Sequence, residues 1–327
     1  MNLFIAPTIV SLLALGAVLW WGGTAAFFLA AMLVVLEITL SFDNAIVNAK
    51  VLKEMPALWQ KRFLTWGILV SVFGTRLVLP IFIVSIVAMV SPFAITLMAF
   101  TDSVEYTRLL TGAEASIKAF GGAFLLMVSL KFFFDIGKTI HWIAVIERRL
   151  AKWGNIEAIE AALAMALVVA LSFFSHDSAA TILRSGLIGI ILFIVTEGLA
   201  HGLSIESKHV ARSGAALFVY LNLLDSAFSL DGVIGAFALT TSLPIIVVGL
   251  GSGAYFVRSL TVYLVRAKTL DTLVYLEHGA HWAIFGLAMA MFAGLVIHVP
   301  ETITALIGLG FIVLSFISSR RALKTAQ

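Results

Sequence analysis

The chain has no cysteine among its 327 residues, which excludes disulfides, thiolate zinc or copper(I) sites and cysteine nucleophiles. Charge is also scarce. Asp, Glu, Lys and Arg together make up 12% of the sequence, about half the share found in soluble domains. A soluble globular chain is therefore excluded, and no segment outside the apolar runs is long enough to form a soluble domain. Nothing reads as a nucleotide-binding segment. The net charge is only +3, and the placement of its cations, described below, reflects membrane topology rather than nucleic-acid binding.

Long apolar runs take the place of charge. Hydrophobic residues form 61% of the chain, and mean hydropathy is +1.09. A hydrocarbon core about 30 Å thick takes about 20 helical residues to cross. Ten runs are read as spans, at residues 3–21, 24–49, 63–90, 118–135, 158–175, 182–204, 214–239, 242–265, 276–297 and 302–318. The short stretch 92–100 reads as re-entrant or interfacial. The expected fold is an all-α polytopic bundle forming one integral membrane domain over 1–327. The N-terminal run reads as a retained span. It has no cation ahead of Leu3, and Trp20-Trp21 stands where small residues would mark a cleavage site. Trp20, Trp21 and Trp59 suit an interfacial aromatic belt.

Two runs carry acids at membrane depth, in the same pattern. Glu37-Ile-Thr-Leu-Ser41-Phe-Asp43-Asn44-Ala-Ile46 lies in one, and Asp225-Ser-Ala-Phe-Ser229-Leu-Asp231-Gly232-Val-Ile234 lies 188 residues later in another. An intramembrane carboxylate costs roughly 2.5–3.5 kcal/mol on insertion scales, so its default reading is functional. From Glu37, residues Ser41, Asn44 and Asn48 recur on one helix face; Asn222, Asp225, Ser226 and Ser229 do so in the second copy. Asp43 and Asp231 fall off those stripes. They either address another neighbour or follow a helix interruption near Ser41 and Ser229; interruption is the expectation, with Gly232 permitting it in the second copy.

The basic residues set the orientation. With a cytoplasmic N-terminus and ten crossings, 15 of the 21 Lys and Arg fall on the cytoplasmic side, and both termini are cytoplasmic. The two motif helices then run in opposite directions, as in inverted-repeat transporters. The repeats are taken as 24–135 and 214–297, spans 2–4 and 7–9. The span after each motif carries one arginine, Arg76 or Arg258. The next opens with Glu114 and Lys118 in one half, and Glu277 and His281 in the other.

Carboxylates, the Asn44 amide oxygen, Ser hydroxyls and freed carbonyls are hard donors, suited to Mg²⁺, Ca²⁺ or Mn²⁺. Four carboxylates on one ion leave surplus charge, to be met by protons or by Arg76, Arg258 and Lys131. Arg76, Arg258 and Lys131 read first as structural counter-ions. Glu197 and His201 suit either a relay or an interhelical hydrogen bond. Glu277, His278 and His281 are in the wrong order for a zincin and read as support. His176-Asp177 reads as a solvated turn, and Gly249, Gly251 and Gly253 as close helix packing.

The segments Glu37-Ile-Thr-Leu-Ser-Phe-Asp-Asn-Ala, Leu224-Asp-Ser-Ala-Phe-Ser-Leu-Asp-Gly-Val and Tyr275-Leu-Glu-His-Gly-Ala-His-Trp-Ala resemble the TerC-like family of integral membrane proteins. They are most similar to its branch long catalogued as a domain of unknown function. The Ser-x-Asp-Asn and Ser-x-Asp-Gly cores are the most specific marks, and the likeness covers about Leu29 to Leu295. It implies a polytopic protein of the bacterial cytoplasmic membrane, in a family named for tellurium-resistance operons with members implicated in manganese export. It also implies Glu37, Asp43, Asn44, Asp225 and Asp231 as the intramembrane acidic set. Gly232 departs from the commoner pattern, where an Asn-like residue stands, so the half-sites need not contribute equally.

The expected function is a secondary exporter of divalent cations, Mn²⁺ favoured, in exchange for protons. Glu37, Asp43, Asp225 and Asp231 would bind the ion, and Asn44, Ser41 and Ser229 would complete its shell. The ion is cargo and no cofactor is expected. The partners are the lipid bilayer, the divalent cation and protons, without nucleic acid; a homo-oligomer is compatible with this reading. Two alternatives stand beside it. One is an intramembrane metal-dependent enzyme using Glu277, His278, His281, Glu197 and His201. The other is a membrane anchor of a tellurium- or stress-resistance complex, with purely structural acids. The topology is directly testable, since the chain supplies no background thiol. A cysteine placed at Lys138 should react with an impermeant maleimide only from the cytoplasmic side, and one at Thr111 only from the outside. The reverse pattern would overturn the orientation.

Overall fold

The computed structural model describes residues 3–175, 178–206, 210–297 and 299–326, and every regular element within them is helical. Its side-chain description leaves out Leu64, Asp231, Ala238, residues 200–206 and 210–213, and a few positions near residue 301 and the C-terminus. His176 and Asp177, and the side chains of His201 and Asp231, are therefore outside the described set.

The helices are α1 (Ile5–Leu40), α2 (Phe42–Glu54), α3 (Ala57–Leu69), a π-helical segment (Val70–Val78), α4 (Leu79–Ala88), α5 (Pro92–Thr101), α6 (Ser103–Gly112) and α7 (Glu114–Phe133). They continue as α8 (Ala144–Trp153), α9 (Ile159–Phe174), α10 (Ala179–Glu206), α11 (Val210–Leu239), α12 (Leu243–Arg266), α13 (Thr269–Thr272), α14 (Leu276–Ala293) and α15 (Glu301–Ala326). Among the described residues, seven helices are long and apolar enough to cross a bilayer, against ten expected spans. The difference has three sources. The first two expected spans fall within the one element α1, whose backbone breaks at Gly23 between them. Helix α9 has 16 residues, about 24 Å of rise. Helix α14 has 18 and carries Glu277, His278 and His281 in its first turns. Segment 92–100 forms the short helix α5.

At Gly23 the backbone takes φ 74°, ψ −173°, a region that glycine enters without steric penalty. Contacts on either side show that α1 reverses there. Added side chains at Gly249 and Gly253 would meet Leu33 and Glu37 respectively, so this part of α1 runs in the same direction as α12. Yet Phe4 packs on Tyr263, near the far end of α12, with ring centroids 6.0 Å apart. A straight helix would place Phe4 about 40 Å from Leu33 in the opposite direction. Only a hairpin at Gly23 satisfies both contacts.

Small residues allow the motif helices to approach closely. Gly249 and Gly253 seat against α1, and Gly251 against Val72, as expected for interfaces that gain by packing rather than by water exclusion. Helix α7 is enclosed on nearly every side. Phe124 meets Phe193 of α10 edge-on, with centroids 5.7 Å apart, and Gly121 and Gly122 face Met291 and Phe292 of α14. Outward-facing positions on α1, α4, α9, α10 and α15 expose large apolar side chains such as Leu13, Phe28, Phe82, Phe173, Leu187 and Leu306. Such a surface belongs in lipid, and the chain is built as a multi-pass membrane protein.

Candidate functional site

The first motif bends at Ser41. Its φ of −97° and ψ of 16° separate α1 from α2, while Ser41 N–H still donates to the Glu37 carbonyl at 3.0 Å. The expected interruption therefore occurs, mildly, in the first copy. It does not occur in the second: α11 continues as helix through Ser229 and Gly232. Gly232 instead faces the first motif: a Cβ there would lie 3.7 Å from Glu37 Oε2, at ordinary van der Waals contact.

Glu37 and Asp225 are buried, each against the arginine of the following span. Glu37 pairs with Arg76 and accepts from Ser41 Oγ at 2.8 Å. Asp225 Oδ2 pairs with Arg258 Nη2 at 3.2 Å. Arg76 sits in the π-helical segment, whose widened turns let its guanidinium fold back. Its Nη1 donates to the Ser71 carbonyl at 2.5 Å, to Ser71 Oγ at 2.9 Å and to Thr75 Oγ1 at 3.0 Å. Arg258 Nη1 donates to the Phe63 carbonyl at 3.0 Å, and its guanidinium lies 4.0 Å from the Phe63 ring centroid. The two cations assigned as counter-ions thus occupy that role beside the acids.

The motifs meet directly. Asn44 Nδ2 donates to Asp225 Oδ1 at 2.8 Å. Glu37 lies against Gly232 and Asn44 against Asp225, so residue number falls on α11 as it rises on α1–α2. The two motif helices cross antiparallel.

Asp43 faces elsewhere. Its carboxylate accepts from Asn44 N–H at 2.8 Å, and it has no ionic partner among the described residues. It lines a cavity of about 20 Å³ with Thr39, Ala283, Leu287, Thr304 and Gly308, room for about one water. The side chain addresses α14 and α15, not the Glu37–Asp225 core. A larger cavity of about 1040 Å³ shares Thr39, Leu40, Thr304 and Ala305 with it and extends to the Glu114–Lys118 ion pair. Ser229 is buried, and its Oγ has no hydrogen-bond partner among the described residues. Among the described residues no three of His, Asp or Glu gather closely enough to hold a metal ion.

The remaining residues singled out from sequence lie apart from this core. Lys131 Nζ reaches Glu197 at 3.1 Å and Glu160 at 3.6 Å. Glu277 pairs with Lys50 of α2 at 2.8 Å, while Lys53 meets Asp271 at 2.6 Å. His281 Nδ1 donates to the Glu277 carbonyl at 2.9 Å, and its ring stacks on Phe132. His278 Nδ1 donates to Glu147 at 2.7 Å. The two imidazoles engage different partners rather than a shared centre.

Glu147 is a residue that the sequence reading missed. It is fully buried and also accepts from Trp282 Nε1 at 3.0 Å and from the backbone N–H groups of Trp142 and Ile143 at 3.1 and 3.3 Å. Burial raises its pKa, but the bonds from His278 and Trp282 outweigh that and hold it at about 2. In sequence, Glu147-Arg-Arg resembles a solvated helix face; only the His141-Trp142 pair six residues earlier hints at enclosure.

The fold and this core define an integral membrane protein with two buried acid–arginine pairs joined across antiparallel helices. Residues 42–325 match the family described as "Protein of unknown function (DUF475)", and the chain belongs to that family. No curated protein and no solved structure matches it.

Two outcomes follow. Arg76→Leu, which leaves Glu37 buried without its cation, should destabilise the protein by about 3–5 kcal/mol, and the double variant Glu37→Gln/Arg76→Leu should recover most of that loss. Unfolding titrations in detergent micelles measure both. For Glu147, a folded pKa of about 2 lies below the ordinary 4.5. Its stabilisation is present above pH 4.5 and is lost as pH falls toward 2. Glu147→Gln should therefore be less stable than wild type at pH 7, with the gap in Tm narrowing across that window.

Proposed function

We propose that this protein is a secondary transporter that exports divalent cations, Mn²⁺ favoured, in exchange for protons, across the bacterial cytoplasmic membrane with both termini inside. The observation that supports it most is the Asn44–Asp225 contact between antiparallel helices, each carrying an acid beside the arginine of its next span. Two inverted repeats, 24–135 and 214–297, would produce that arrangement. The motif resemblance to the TerC-like family supports the choice of cargo, and hard oxygen donors suit Mn²⁺.

In this reading the arginines keep Glu37 and Asp225 neutralised while no ion is bound. Asp43, without a cation beside it, is the carboxylate free to exchange a proton for the metal ion. The cavity that shares Thr39 and Thr304 with the Asp43 pocket would be its route to one side of the membrane. Asp231 is retained as an ion-binding carboxylate, with Asn44, Ser41 and Ser229 as shell residues. A second reading, a membrane anchor whose acids only pin helices together, is favoured at Glu37 and Asp225 by their closed ion pairs. It gives no account of an unpaired Asp43.

Purified protein in proteoliposomes separates the two. Wild type should carry Mn²⁺ along an opposing pH gradient, and Asp43→Asn should lower the rate by roughly tenfold or more, a loss like that from disturbing a metal site. Transport by Asp43→Asn at the wild-type rate would sink the proposal.

A further inference from the structure

Three buried amide oxygens in the motif helices have no donor among the described residues: Asn44 Oδ1, Asn48 Oδ1 and Asn222 Oδ1. The residues are 1%, 2% and 8% exposed. Two of the amides have their orientation fixed. Asn44 Nδ2 donates to a carboxylate, Asp225 Oδ1, and Asn222 Nδ2 donates to the Phe218 carbonyl at 2.7 Å. Both partners can only accept once the carboxylate is ionised, so the free atom in each case is the oxygen.

Helix geometry groups them. Asn44 and Asn48 are four apart on α2, and Asn222 and Asp225 are three apart on α11, so each pair shares a face. The antiparallel register set by Glu37–Gly232 and Asn44–Asp225 brings Asn48 and Asn222 to the same level. That level lies one turn, about 6 Å, beyond the Asn44–Asp225 bond toward Lys50. Arg258 bonds the other oxygen of Asp225, leaving Oδ1 to Asn44. Acceptors cannot satisfy one another; they need a donor or a cation. Amide oxygens are ligands of hard cations such as Ca²⁺ and Mn²⁺.

We infer that the side-chain oxygens of Asn48 and Asn222, with that of Asn44, form an uncharged subsite for a partly hydrated hard divalent cation, one turn from Asp225 on the Lys50 side. This rests on the transporter reading and adds a second stop to it. Neutral ligands hold the ion without neutralising it, so it can pass on to the carboxylates.

Mn²⁺ titration of the purified full-length chain, followed by loss of the free-ion EPR signal, tests the subsite. Asn48→Leu and Asn222→Leu should each weaken binding by about tenfold, whereas Asn48→Asp should tighten it. If the leucine variants bind like wild type while Asp43→Asn does not bind, the amides hold only water; the subsite is then wrong and the transporter reading stands. If wild type binds no Mn²⁺, both fall. Should the leucine variants fail to fold, Asn48→Asp decides, and unchanged or weakened binding overturns the subsite.

Discussion

A carboxylate inside a bilayer has to be neutralised by something within a few ångströms, because no bulk water is there to do it. Much of the architecture around the two motifs follows from that requirement. Glu37 and Asp225 each meet the arginine of the next span, and each arginine needs further acceptors for its remaining N–H groups. The π-helical segment supplies Ser71 and Thr75 to Arg76, and the middle of α3 supplies the Phe63 carbonyl to Arg258. Glycines at 249 and 253 then let α12 close against the helix that carries Glu37. Backbone geometry, small residues and counter-ions answer one electrostatic constraint.

The same constraint singles out Asp43. It is buried yet receives only a backbone N–H among the described residues, and it faces a cavity rather than a cation. A buried acid without a cation beside it is the natural place for protonation or ion exchange. On the proposed transporter reading, the bundle separates two roles along one helix pair: the arginine-paired acids pin the crossing, while Asp43 and the amides of Asn44, Asn48 and Asn222 are left to take a ligand.

Much of this was legible in the sequence. The acids, the arginines and the glycines stood out because charge and small residues are rare in these apolar runs, and helical spacing alone placed Asp43 off the Glu37 stripe. Which neighbour Asp43 would face was not legible, since that depends on where α14 and α15 pack. The expected break at Ser229 does not form, since α11 stays helical through Gly232 and a glycine tolerates a helix interior as well as a turn. Glu147 was hidden by its neighbours Arg148 and Arg149, and its burial comes from the loop before α8 folding over α14. Ten spans were expected where seven described helices are long and apolar enough; the turn at Gly23 falls between the first two expected spans, whereas the shortness of α9 and the charged first turns of α14 depend on packing that length along the sequence does not show.

The most direct test of the account is the register between the motif helices, read by a short thiol-reactive cross-linker on paired cysteines in this cysteine-free chain. Ser41→Cys with Ser229→Cys should link efficiently, whereas Ser41→Cys with Asn222→Cys, displaced by about 10 Å along the helix, should not. Preferential linking of the second pair, or of neither, would contradict the antiparallel meeting of the two acid motifs.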